Sequence, residues 1–221
     1  MKIDFKSFIF KKPFGLRMIL MLSGVVIMGI CVAILNMTDL GVDPFAAVSY
    51  GLSDITGISF GTVELIFNGI LFLIVILFDY KRLGFGTIGN MVIVGYMADF
   101  TTYILGCMGI TKVENEVVNA LVMLGALIVF VFAVALYVNA GLGASAYDVL
   151  PYIIHDKVSK YLSEKIKFKY VRIAFDAVFT VVAFLIGGEA GAITVLMVIA
   201  LGPVIEIVSK LLGRLLKLEK V

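Results

Sequence analysis

Long apolar runs recur along the chain. The first extends from Leu16 to Met37. Others cover Ser59–Phe78, Gly84–Leu105, Val117–Val138, Tyr170–Ile186 and Ala190–Leu212, the fifth being the shortest. A membrane-spanning helix needs about 20 mostly apolar residues, so the pattern predicts six spans joined by short connections. Two connections are not ordinary loops. Asp39 to Ile58 carries no Lys or Arg and is half apolar, and Gly141 to His155 has the same character. Each predicts a short helix after a Gly or Pro break, either lying at the membrane face or re-entrant. Asp43-Pro44 reads as the N-cap and first position of one of them.

Composition supports the membrane reading. The 221 residues are 62% apolar and 15% charged, whereas a soluble domain is about 45–50% apolar and about 25% charged. Six spans leave no room for a soluble catalytic domain. The N-terminal Lys2, Lys6, Lys11 and Lys12 before an apolar run imitate a signal peptide. No small-residue cleavage site follows, so the run is expected to be retained as the first span. A net charge of +2 makes no case for nucleic acid. Cys31, Cys107 and the single His155 form no CxxC pair, disulfide framework or zinc site, and no cofactor or metal is expected.

Charge placement tests the span assignment independently. With the N-terminus inside, 17 of the 18 Lys and Arg residues fall on the inner side and only Lys112 falls outside. This positive-inside bias predicts six spans with both ends cytoplasmic in a prokaryotic plasma (inner) membrane.

The two halves resemble each other. Leu40-Gly41 opens the first short helix and Leu142-Gly143 the second. Ile66-Phe67-Asn68 matches Ala174-Phe175-Asp176. Gly84, Thr87, Gly95 and Asp99 align without a gap with Gly191, Thr194, Gly202 and Glu206, sharing the pattern Gly-x2-Thr-x7-Gly-x3-acid. Three spans per half make the second half enter from the opposite side. The expected fold is therefore an all-α membrane protein of one transmembrane domain (1–221), with two inverted three-helix repeats, 15–107 and 117–213. Such repeats are common in secondary transporters. A basic, helical insertion, Asp156 to Lys169, distinguishes the second half.

Ionisable side chains within spans are costly, and they usually face an interior or a water-filled cavity. Glu64 has Asn68 one turn later, and Arg172 has Asp176 one turn later. The repeat aligns Glu64 with Arg172, Asn68 with Asp176 and Asp99 with Glu206. Counting along the helices puts Asn68 and Asp176 nearest the middle, Glu64 and Asp99 toward the outside, and Arg172 and Glu206 toward the inside. The expected pathway is a central polar site, an outer acidic pair and an inner Arg172–Glu206 gate. Asp43 and Asp148 stand at the starts of the two short helices. Simpler roles stay open. Arg172 can snorkel to the interface, Glu206 can pair with Lys210, Asp99 can cap a neighbouring helix, and Asn68 or Asn90 can join helices. Enzyme signatures such as HExxH, GxSxG or a P-loop are absent, so catalysis is not expected.

These residues carry a resemblance. The first half around Gly41–Pro44, with GFGTIGNMVIVGYMADF after it, and the second-half GAITVLMVIALGPVIEI, are similar to the bacterial YczE/YyaS/YitT group of integral membrane proteins, over about residues 15–213. The resemblance implies a six-helix inner-membrane protein. It is nearest the YczE-like branch, because the C-terminal soluble domain of the YitT branch is not expected here. Ser145-Ala146 stands where the first half has Asp43-Pro44, which departs from a symmetric two-aspartate site. The expected function is secondary transport of a small polar, charged or lipid-linked solute by alternating access. The partners would be the bilayer, that solute or lipid, and a second copy in a homodimer. The alternatives are a lipid scramblase or flippase, the substrate-binding subunit of an energy-coupling-factor transporter, and a membrane accessory protein without transport.

Overall fold

The computed structural model describes residues 14–161 and 166–216. These form eight α-helices and no strand: α1 (Phe14–Met37), α2 (Pro44–Thr56), α3 (Phe60–Asp79), α4 (Phe85–Cys107), α5 (Glu116–Ala140), α6 (Ala146–Tyr161), α7 (Phe168–Leu185) and α8 (Ala192–Leu215), with a 3-10 turn at Tyr80–Arg82. The basic insertion is divided between the end of α6 and the start of α7, and its residues 162–165 lie outside the described residues, as do the four N-terminal lysines.

The helices begin and end where local chemistry directs. Asp43 caps α2 by accepting from the Ala46 N–H at 3.1 Å, with Pro44 next in the first turn. Ser59 caps α3 through the Thr62 N–H, and Asn115 caps α5 through the Val117 and Val118 N–H groups. Each cap satisfies donors that the first helical turn leaves unpaired.

Five helices, α1, α3 with its 3-10 extension, α4, α5 and α8, are long and apolar enough to cross a membrane. Their outward faces are apolar, with Leu73, Leu77, Leu121 and Ile199 all exposed, as lipid contact requires. Six spans were expected, and α7 is the one that does not qualify by composition. Its 18 residues include Lys169, Arg172 and Asp176.

Helix α1 packs against α4 and α5, α5 against α8, α3 against α4 and α6, and α7 against α2, α6 and α8. The recurring Gly-x2-Thr motif acquires a physical meaning here. In α4, the Gly84 N–H donates to Thr87 Oγ1 at 2.9 Å, and that hydroxyl donates to the Ala144 carbonyl at 2.6 Å. In α8, the Gly191 N–H donates to Thr194 Oγ1 at 3.1 Å, and that hydroxyl donates to the Val42 carbonyl at 2.7 Å. Main-chain bonds recur in the same way: Gly86 N–H to Leu142 O with Ile193 N–H to Leu40 O, and Ala144 N–H to Arg82 O with Val42 N–H to Glu189 O. The start of the last helix of each half thus docks on the break before the other half's short helix. Those breaks contain Gly41 at φ 109° and Gly143 at φ 111°, a region that L side chains rarely adopt.

The docking pulls the short helices inward. Every residue from Pro44 to Gly51 is buried. Eight consecutive residues exceed two turns at 3.6 residues per turn, so this stretch has no free face. Of the two readings left open for the Asp39–Ile58 connection, a helix lying flat on the surface does not fit. Helix α6 buries Ala146, Tyr147, Val149 and Leu150 and becomes more exposed toward its end.

Candidate functional site

The N-terminal ends of α2 and α6 approach each other inside the bundle. Phe45 of α2 and Tyr147 of α6 lie with ring centroids 5.0 Å apart, and Phe179 of α7 packs on both. Next to this aromatic contact is an internal cavity of about 90 Å³, enough for a few waters or a very small solute. Asp43, Glu64, Asn68, Asp148, Arg172 and Asp176 all line it. Six of the eight residues singled out from the sequence therefore come together, drawn from α3, α6, α7 and the cap of α2.

Arg172 organises one side. Its Nε donates to Asp176 Oδ2 at 2.8 Å and its Nη1 donates to Asp148 Oδ1 at 2.7 Å. The Tyr147 hydroxyl donates to Asp176 Oδ1 at 2.5 Å. Ser145 Oγ donates to Asp148 Oδ2 at 2.7 Å, while the Asp148 N–H donates back to Ser145 Oγ at 3.1 Å. Both carboxylates are thus held by charge-assisted bonds, the strongest class of hydrogen bond available to them. The guanidinium joins α6 to α7.

On α3 two polar atoms have no partner. Glu64 is 4% exposed and Asn68 is 1% exposed, yet Glu64 Oε2 and Asn68 Nδ2 have no hydrogen-bond partner. Buried polar atoms are nearly always satisfied, so two such atoms one turn apart on α3, with Glu64 Oε2 packed toward Gly95 of α4, stand out. The Tyr137 hydroxyl, on the same cavity, is also without a partner.

Two expected pathway residues lie elsewhere. Asp99 sits beside Glu64, but its Oδ2 accepts from the Gly61 N–H at 3.0 Å, so it serves the α3 N-terminus, the simpler role left open for it. The Arg172–Glu206 gate is not formed: Glu206 pairs with Lys210 at 2.5 Å on an exposed face, and Arg172 is taken by the two aspartates. Helical spacing puts Lys210 within reach of Glu206. Asp99→Ala is expected to cost about 1 kcal/mol, as loss of a cap does. Glu206→Gln should stay within about 0.5 kcal/mol of the parent. Equilibrium unfolding in mixed micelles checks both, and equal effects would contradict the separate roles.

Sequence reasoning missed Tyr147 as a partner of Asp176. An aromatic residue on an apolar helix carries no signal of its hydroxyl's destination. The Ser145-x-x-Asp148 pairing was detectable, since Ser followed three residues later by an acid is a helix-start signature. His155 bonds the Ile166 carbonyl at 2.9 Å and lies away from the cavity.

A model of a family of unknown function (DUF6198) matches residues 15–210. An uncharacterized membrane protein YczE of Bacillus subtilis is 27% identical over 199 residues, covering 89% of this chain and 86% of that protein. An uncharacterized protein of Haemophilus influenzae is 26% identical over 200 residues, covering 89% and 84% respectively. No solved structure matches the chain.

Proposed function

The chain belongs to the DUF6198 family of YczE-like membrane proteins, and on that premise we propose that it is a secondary transporter working by alternating access in the prokaryotic plasma membrane. The observation that carries the reading is the polar cavity where the short helices of both halves meet, lined by ionisable groups from each. Binding near the midplane, between discontinuous helices of two inverted repeats, is how many secondary transporters hold their cargo. The paired docking bonds of α4 and α8 support repeats at 15–107 and 117–213.

Helix α7 completes six spans in this reading. At 1.5 Å per residue it is about 27 Å long, close to the hydrocarbon thickness of about 30 Å. Arg172 and Asp176 turn toward the cavity, while Val178, Val181, Phe184 and Leu185 are exposed, giving it an apolar lipid face. The helices α2 and α6 are then re-entrant, and the Lys and Arg distribution puts both termini in the cytoplasm. The Arg172–Asp148 bridge is the contact that parts when the cavity opens, because it ties a short helix to a span. A scramblase would be favoured by a hydrophilic groove open to lipid. The surface groove between α6 and α7, about 420 Å³, is instead lined by apolar residues such as Val158, Val171 and Val178.

The test begins with thermal stability of the purified protein across a panel of small metabolites and lipids. A ligand at 100 times its Kd adds about 2.7 kcal/mol. The compound that stabilises is then radiolabelled for counterflow into proteoliposomes. Trans-stimulated uptake, abolished by Asp176→Asn, is the expected result. A binder without trans-stimulated uptake, or stabilisation by phospholipid alone, overturns transport.

A further inference from the structure

We infer that the groove between α6 and α7 seats an acyl chain of an anionic phospholipid, whose phosphate meets the lysines at the groove's end. The groove encloses about 420 Å³. Ile154 and Val158 of α6 line one side, and Val171, Ala174 and Val178 of α7 line the other. Ala174 lies one turn from both Tyr170 and Val178 on the same helix face, and its small side chain leaves the recess between them. Ties between the two helices fix their relative position. Arg172 bonds Asp148 at 2.7 Å, and the Tyr147 hydroxyl bonds Asp176. Nearer the turn between the helices, His155 Nε2 donates to the Ile166 carbonyl at 2.9 Å, and Tyr152 stacks on Phe168 with ring centroids 4.2 Å apart. The recess is therefore a standing feature of the fold.

Continuity with the apolar face of α7 identifies the body of the occupant. Val178 lines the groove, and the exposed Val181, Phe184 and Leu185 extend its surface along the helix. A recess that opens onto such a face takes a hydrocarbon chain.

Charge identifies the head. Three exposed lysines each stand next in sequence to a lining residue: Lys157 beside Val158, Lys167 beside Ile166 and Lys169 beside Tyr170. All three lie toward the end where α6 finishes and α7 begins. Lys169 Nζ is 4.9 Å from the centre of the Tyr170 ring. Among the described residues from 154 to 171, the one acid is Asp156, which is 3.9 Å from Arg82. Lysine stems run along apolar surface while the ammonium stays at the polar level, and basic pockets between spans bind anionic headgroups. A groove apolar along its length and basic at one end complements a lipid with a negative head. A zwitterionic lipid would bring its own cation to the lysines. The inference rests on α7 crossing the membrane, and not on solute transport.

The chain has no tryptophan, so a single introduced one reports on its surroundings. Val182→Trp, one turn beyond Val178 on α7, is the reporter. Phe132→Trp, on an exposed position of α5, is the reference. Each full-length variant is reconstituted in phosphatidylcholine bilayers, and quenching by chain-brominated phosphatidylglycerol is compared with quenching by chain-brominated phosphatidylcholine. One lysine beside an anionic headgroup contributes roughly fivefold in binding. The expected result is a preference for phosphatidylglycerol of about fivefold or more at Val182→Trp, and below about twofold at Phe132→Trp. Adding Lys167→Gln and Lys169→Gln should bring the first value below about twofold. Ala174→Phe, which fills the recess and leaves every lysine in place, should at least halve it. Equal quenching by the two lipids at Val182→Trp, or the same preference at both reporters, overturns the inference. A preference undiminished in Ala174→Phe also overturns it, because charge alone would then attract the lipid. Strong quenching of Val182→Trp by aqueous iodide would place α7 outside lipid and defeat the six-span reading together with this inference. No lipid preference at a Val182→Trp shielded from iodide would defeat this inference alone.

Discussion

Replacing Arg172 by methionine is expected to destabilise the protein by about 3–5 kcal/mol, the range observed when one partner of a buried ion pair is removed. The arginine is the shared partner of Asp148 and Asp176, at 2.7 and 2.8 Å. Its side chain is 23% exposed and that of Asp176 is 8% exposed, so water cannot take over the bond to Asp176, whereas Asp148, at 39%, keeps access to it. The cost arises from two carboxylates stranded beside each other rather than from the lost attraction alone. A compensating substitution separates these contributions. Adding Asp176→Asn to Arg172→Met removes the more buried charge and leaves the Tyr147 hydroxyl an amide oxygen to donate to. The double variant should recover most of the loss, with an interaction energy in the range of about 0.5–3 kcal/mol that contacting residues display. Equilibrium unfolding of the four proteins in mixed micelles measures it. A stability for Arg172→Met within about 0.5 kcal/mol of the parent would mean that the guanidinium merely snorkels to the interface.

Gly143→Ala and Gly41→Ala form the second case, and each is expected to cost about 2–6 kcal/mol. Two penalties combine. A side chain at a φ near 110° costs about 1–3 kcal/mol, and forcing extra atoms into packed space typically costs about 1–3 kcal/mol more. At Gly143 an added Cβ would lie 2.5 Å from the Gly84 nitrogen and 2.9 Å from Thr87 Oγ1. At Gly41 it would lie 2.7 Å from the Gly191 nitrogen and 2.6 Å from Thr194 Oγ1. Both substitutions push apart the contact between the start of a last helix and the break before a short one. The control is Gly69→Ala, within α3, where an added Cβ meets nothing within 4 Å. It should be neutral or gain up to about 1 kcal/mol from helix propensity. Melting temperatures of the three variants, with the monodisperse fraction on gel filtration, read the difference. If Gly143→Ala melts with Gly69→Ala, the docked junction does not hold the two halves together.

Much of the architecture is legible in the chain because lipid imposes a simple rule. A span must be apolar over about 20 residues, and the runs from Leu16, Ser59, Gly84, Val117 and Ala190 become α1, α3, α4, α5 and α8 with small changes at their ends. The run from Tyr170 becomes α7, but its charges keep it from qualifying on composition. The Gly-x2-Thr recurrence was readable as a pattern, although its purpose was not. A hydroxyl reaching a carbonyl 57 residues away, as Thr87 does to Ala144, leaves no periodic trace.

The candidate site divides along the same line. Spacing of i, i+4 paired Arg172 with Asp176 and put Asn68 one turn beyond Glu64, because one helical turn fixes which side chains are neighbours. Whether Arg172 met Glu206 or Asp148, whether Asp99 faced a solute or a helix end, and where the Tyr147 hydroxyl went depended on contacts between different helices. By itself the sequence determined an α-helical membrane protein, the positions of its breaks and the residues whose charge demands an interior. Only the tertiary structure decided that Asp43, Glu64, Asn68, Asp148, Arg172 and Asp176 share one cavity while Asp99 and Glu206 do not. The physical reason is that helix formation and membrane burial are set by local composition, whereas the pairing of buried charges is set by how separate helices pack.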